Sequence, residues 1–167
     1  IDFLLEGASG AEQEEPPAEP STGPTVTQPG DIWQIGDHRL ICGDATGAGM
    51  FEQLMAGKKA QLIFTDPPYN VPIDGHVSGL EFRAFLETFM IHARRALQPG
   101  AVAFVCMDWR HMRETLAAGH VIYDELKNLC VWTKTNGGMG SLYRSQHELV
   151  FVFKSGKAAH INNVSLG

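Results

Sequence analysis

The run Asp66-Pro67-Pro68-Tyr69-Asn70 holds the residue types in this chain that could do chemistry. Two consecutive prolines keep the backbone extended and remove two N–H donors, so the Pro67 and Pro68 carbonyls and the Asp66 carboxylate stand as acceptors. Such a loop suits a ligand that brings donors. The exocyclic amino group of adenine or cytosine is a ligand of that kind, and it is a poor nucleophile because its lone pair is delocalised into the ring. If Asp66 and the Pro67 carbonyl each take one N–H, the nitrogen is held out of conjugation and its lone pair can aim at a methyl sulfonium. Tyr69 offers a ring face on which an extruded base can stack, a contact worth about 1–3 kcal/mol in single-strand binders. A base inside a duplex has its amino group paired, so it must leave the helix first. The plain alternative is a strand-ending Asp-Pro-Pro turn with an incidental tyrosine, a coincidence that grows rare over five residues.

That loop needs a strand beneath it. Gln61 to Thr65 is a compact apolar run, expected as a buried parallel strand whose carboxyl end carries Asp66, where open α/β sheets place their ligands. Before it, His38 to Gly43 reads as a short strand ending in a Gly turn. Met50, Phe51, Leu54 and Met55 recur at helical spacing and stop at Gly57. After it, Phe82, Phe85, Leu86, Phe89, Met90 and Ala93 mark an amphipathic helix ending before Pro99-Gly100. Ala101 to Met107 is the next strand, Arg110 to Ala118 a helix, Val121 to Trp132 largely extended and Leu149 to Phe153 a final strand. This alternation implies an α/β domain with a mainly parallel sheet and right-handed crossovers. With no helix between them, the last two strands should pair as a terminal antiparallel hairpin.

Residues 8–30 combine Pro, Gly, Glu, Ser and Thr with almost no large apolar side chains, the composition of a disordered linker. Residues 1–7 read as the tail of an upstream domain and residues 31–167 as the folded unit. The net charge of -6 is uneven. Asp2, Glu6, Glu12, Glu14, Glu15 and Glu19 carry all of it, residues 31–167 balance to neutrality, and the stretch from Lys127 onward is locally basic. No stretch approaches the roughly 20 apolar residues of a membrane helix. Ile1 to Leu5 lacks a charged leader, so a cytoplasmic, nucleoid-associated protein is expected. Cys42, Cys106 and Cys130 are odd in number and widely spaced, as reduced core thiols would be, and no metal-ligand spacing occurs.

Thr65-Asp66-Pro67-Pro68-Tyr69-Asn70 resembles the catalytic motif of the amino-group DNA methyltransferases, in particular the subgroup whose motif precedes the cofactor glycine loop. Gly30-Asp31-Ile32-Trp33 through Gly43-Asp44, Leu97-Gln98-Pro99-Gly100, and Trp132 to Asn136 leading into Arg144-Ser145-Gln146-His147-Glu148 are similar to that subgroup in order and spacing. The resemblance implies a partial Rossmann-like fold that uses S-adenosylmethionine, with double-stranded DNA as partner and a homodimer as one arrangement. It implies catalytic roles for Asp66, Pro67, Pro68 and Tyr69, and cofactor contacts from Asp44, Asp66 and Pro67. Asn70, Lys134, Asn136, Arg144 and His147 would meet DNA, the last four flanking a Gly137-Gly138-Met139-Gly140 loop expected to be mobile. As ordinary residues, Asp44 reads equally well as a turn former and the loop as a hairpin connection.

Adenine N6 is the expected target, because cytosine N4 members of the family more often begin the motif with Ser. The alternatives are a cytosine-N4 enzyme, a catalytically incomplete DNA-binding remnant, and an RNA or protein amino-group methyltransferase. The Phe-x-Gly-x-Gly cofactor loop of the subgroup does not occur in this chain. Relatives also carry a longer segment after Val77, so a loop is expected to be missing between Leu80 and Glu81.

Overall fold

A computed structural model describes residues 23, 25–71, 76–138 and 142–161. The upstream tail and most of the proposed linker lie outside the described residues, as do Met139 and Gly140 of the glycine loop. Ordered contacts start slightly before Asp31. The Gln28 amide donates to Asp31 Oδ2 at 2.7 Å and the Gly30 amide to the Cys42 carbonyl at 2.7 Å. The second bond extends a hairpin of β1 (Ile32–Ile35) and β2 (His38–Ile41), so the expected first strand has a partner built from the residues just before it.

After α1 (Met50–Met55) the chain enters β3 (Ala60–Thr65), crosses through α2 (Gly79–Ala96) and returns as β4 (Leu97–Met107). A short 3-10 turn (Trp109–His111) leads into α3 (Met112–Ile122), and β5 (Glu125–Thr133) and β6 (His147–Lys154) close the described fold. The main sheet has the order β3-β4-β6-β5. β3 and β4 are parallel, and β6 is antiparallel to both β4 and β5. Three strands therefore point one way and β6 alone is reversed, which is the mainly parallel sheet with a terminal antiparallel hairpin.

The core fills the space between one sheet face and the two longer helices. Phe82, Leu86, Phe89, Met90 and Ala93 of α2 meet Ala103, Val105 and Met107 of β4 and Leu149, Phe151 and Phe153 of β6, with Ala118 and Ile122 of α3 closing one side. The helical and alternating periods in the sequence select these same residues. α3 runs past its expected end because Thr115, Ala118, Gly119 and Ile122 form one buried stripe, so Val121 and Ile122 are helical rather than extended. A second correction concerns β3. It pairs in parallel as expected, but Leu62 and Phe64 are 53% and 63% exposed, because β3 is an edge of the described sheet and no helix covers its outer face.

The expected gap between Leu80 and Glu81 is also corrected. Both residues lie in the first turn of α2, and Glu81 is its third helical residue. The Glu81 amide donates to Ser78 Oγ at 3.3 Å, while the Ser78 amide donates to Glu81 Oε2 at 3.0 Å. This capping box satisfies orphan donors at the helix start, so the sequence Ser78-Gly79-Leu80-Glu81 is itself a complete helix entry. Ser78→Ala should lower stability by about 1 kcal/mol, read as a shift of the urea unfolding midpoint with unchanged slope.

Candidate active site

The carboxyl ends of β3, β4 and β5 and the amino end of the reversed β6 meet at one edge of the sheet. Register fixes this: Thr65 lies beside Val105, Cys106 beside Val150, and Trp132 beside Glu148. Asp66, Pro67, Pro68 and Tyr69 leave β3 there and line a cleft of about 780 Å³. Cys106, Trp132, Lys134, Glu148 and Val150 complete much of its wall. Asp66 and Pro68 are exposed, Pro67 is buried and Tyr69 is half-buried. The carboxylate and the aromatic ring that could grip and support a base thus share one concave surface.

The electrostatics tie these groups together. Burial pushes the Tyr69 hydroxyl far above the ordinary phenol range, the neighbouring Asp66 carboxylate adds to this, and the Glu148 charge acts in the same direction. Cys106 is raised by burial first and then by the same two carboxylates. Asp66 and Glu148 therefore both act on the Tyr69–Cys106 wall. Glu148 Oε1 accepts from the Lys134 ammonium, while Glu148 Oε2 is buried with no hydrogen-bond partner.

Several expected site residues are placed elsewhere. Asn70 is 5% exposed and left-handed (φ 54), and its amide donates to the Val77 carbonyl at 3.0 Å and accepts from the Val77 amide at 2.7 Å. These bonds tie it to Val77, and it is not in the cleft wall. Asp44 is not in the cleft wall. Its Oδ1 accepts from the Thr46 amide at 2.8 Å and from Thr46 Oγ1 at 2.7 Å, bonds that hold its carboxyl below the usual range, and this is the role of a turn residue after β2.

Lys134 does reach the cleft, but in an ion pair. Asn136 and Arg144 are exposed beyond it, and half-buried His147 faces Thr133 in the ladder. The arms of the expected mobile loop are laced together, the Lys134 amide donating to the Gln146 carbonyl and the Gly138 amide to the Ser145 carbonyl, each at 2.7 Å. Trp109 Nε1 donates to Ser145 Oγ at 3.2 Å and fastens the returning arm to the turn after β4.

Glu148, Cys106 and Trp132 are site residues that sequence reasoning did not single out. Their signal was the strand period of two: Cys106 and Val150 point away from the helix-covered face, and Glu148 follows once β6 is started at His147. All three cysteines are free, and Cys130 is exposed rather than in the core. A second hollow of about 670 Å³ lies between α1 and α2, with Lys58, Lys59, His92 and Arg95 in its wall, and shares no residue with the cleft. Among the described residues, no helix is long and apolar enough to cross a membrane.

A family model described as DNA methylase matches residues 60–166. No curated protein matches the chain. Among solved structures it is similar to TTHA0409 of Thermus thermophilus, a protein assigned as a DNA modification methylase, at 18% identity and a TM-score of 0.50, over 72% of this chain and 54% of that one. It is also similar to M1.HpyAVI in complex with SAM, at 20% identity and a TM-score of 0.48, over 70% of this chain and 54% of that one. The chain thus spans about half the length of these structures, and the likeness to TTHA0409 is one of fold.

Proposed function

The chain belongs to the DNA methylase family, and from that premise we propose that it is the catalytic part of an enzyme that methylates the N6 amino group of an adenine extruded from duplex DNA, with S-adenosylmethionine as methyl donor. The observation that carries this reading is the placement of Asp66, Pro67, Pro68 and Tyr69 together in the wall of one cleft at the carboxyl end of β3. The choice of adenine over cytosine rests on the leading Asp of the motif.

The cleft fits a methyl donor that carries a sulfonium charge. Asp66 stands exposed in its wall, and because the Lys134 and Glu148 charges there offset each other the lining keeps a net negative charge. Phe64, Trp132 and Val150 supply apolar surface for a planar ring. When bound, S-adenosylmethionine supplies an electrophilic methyl group on sulfur. Asp66 and Pro67 are the residues that would border it, whereas Asp44 is engaged by Thr46 and is left out of this assignment.

The work of the chain's own residues is positional. Asp66 and the Pro67 carbonyl accept the two amino protons, which draws the nitrogen out of conjugation and fixes the direction of its lone pair. Tyr69 supports the base from one side, with a hydroxyl held neutral by burial and by the neighbouring Asp66. Asp66 is the nearest acceptor for the proton that the amino group sheds on methylation. Arg144 and Asn136, exposed on the hairpin beyond the cleft, suit contacts with the DNA backbone.

Incubating plasmid DNA with the full-length protein and S-adenosylmethionine, then mapping modified bases, tests the proposal. N6-methyladenine in one sequence context is the expected result. N4-methylcytosine would overturn the choice of base. Methyl transfer to RNA alone would replace the substrate class, and none to any nucleic acid would leave a DNA-binding remnant.

A further inference from the structure

The Lys134–Glu148 pair sits in the cleft wall opposite no obvious structural need. It joins the first residue after β5 to the second residue of β6, two strands already zipped by their own ladder from Thr133–His147 back to Glu125–Lys154. The side chains are 41% and 23% exposed. Both border the same cavity as Asp66 and Tyr69. Glu148 takes one Lys134 donor through Oε1, leaving the ammonium two donors, and the neutralised pair has little net attraction for phosphate. What it retains is direction: a lysine otherwise free to wander is held at the cavity that holds the carboxylate acceptor.

An acceptor and a fixed donor in one cleft are complementary to one kind of base edge. Adenine and cytosine each carry an amino donor beside an unprotonated ring nitrogen. Guanine and thymine present a carbonyl acceptor beside a ring N–H, the reverse order. We propose that Lys134, held by Glu148, donates to the ring nitrogen next to the target amino group, so that Asp66 and Lys134 together read the amino–imine edge and reject guanine and thymine. This deepens the function proposed above and rests on it. It makes Lys134 a specificity-determining residue and Glu148 the group that positions it.

The test uses the full-length protein and duplexes carrying the mapped target site, either natural or with the neighbouring ring nitrogen replaced by C–H (1-deazaadenine, or 3-deazacytosine if the mapped base is cytosine). A hydrogen bond from a charged donor predicts a loss of about 10- to 100-fold in kcat/KM for the unaltered protein on the deaza duplex. Lys134→Met should show that same loss on the natural duplex and no further loss on the deaza one. Glu148→Gln, which keeps the shape but releases the lysine, should show part of the loss with reduced sensitivity to the ring nitrogen. Because the deaza base also differs in intrinsic reactivity, the comparison between proteins is the readout.

Indifference of the unaltered protein to the deaza base would overturn the proposal, and so would losses that simply multiply. Multiplying losses with a salt slope lowered by about one unit would make Lys134 a phosphate contact instead. Absence of any methyl transfer by the unaltered protein would overturn the parent reading and this assignment with it, and is distinguished by failing on the natural duplex as well.

Discussion

Asp66→Ala should lower methyl transfer by roughly a thousandfold while the protein remains as stable as before. The first half follows from the chemistry of an amino group, which does not attack until an acceptor draws its lone pair out of the ring, and only Asp66 offers a charged acceptor within the motif. The second half follows from exposure: Asp66 lies at the strand end, open to the cleft, and the partner of its carboxylate is the Tyr69 hydroxyl of the same loop rather than a core element. Asp66→Asn should fall between, since an amide oxygen still accepts one N–H but brings no charge to stabilise the cation formed on nitrogen. Single-turnover rates at saturating DNA, beside urea unfolding of each variant, check both halves. An Asp66→Ala protein that retained more than a tenth of the rate would remove the carboxylate from the mechanism.

What the sequence disclosed depended on how many physical signals each element carried. β3, α2 and β4 were legible because period and length agreed: an apolar run closed by Asp-Pro-Pro, a helical stripe, then a second apolar run, although β4 starts at Leu97 and takes in Pro99-Gly100 instead of beginning at Ala101. Boundaries failed where a single long-range contact decides them. α3 continues to Ile122 because that side chain reaches the core, which helical propensity does not record.

The exposure of Leu62 and Phe64 was hidden for a similar reason, since an apolar strand reads alike whether or not a helix covers it. The catalytic loop was the clearest part of the site because its five residues are consecutive. Glu148 was quoted within a similar segment without a role, and its meaning appears only when β6 sets it beside Trp132 in the wall that holds Asp66. Asn70 and Asp44 have local partners that the sequence did not announce: both ends of the Asn70 amide bond Val77, and Asp44 Oδ1 takes two bonds from Thr46.

The second large effect belongs to the core that holds the cleft in place. Phe153 of β6 is 1% exposed and stacks on Tyr123, with ring centroids 5.3 Å apart. It also packs on Gly119 of α3, where an added Cβ would come within 2.1 Å of the ring. Phe153→Ala should therefore cost about 3–5 kcal/mol, a large part of the roughly 5–15 kcal/mol that stabilises an ordinary domain. Gly119→Ala is the informative companion. In an open helix interior this change stabilises by about 0.5–1 kcal/mol, because alanine loses less backbone freedom on folding. Here the ring stands in the way, and the overpacked variant should instead lose about 1–3 kcal/mol. Once Phe153 is alanine the obstacle is gone, so the same Gly119→Ala change should turn stabilising and recover a fraction of what the cavity cost. Urea unfolding of the two single variants and the double variant measures this coupling. A Gly119→Ala effect of equal sign in both backgrounds would show that the ring does not press on the helix, and that β6 is held to α3 by other contacts.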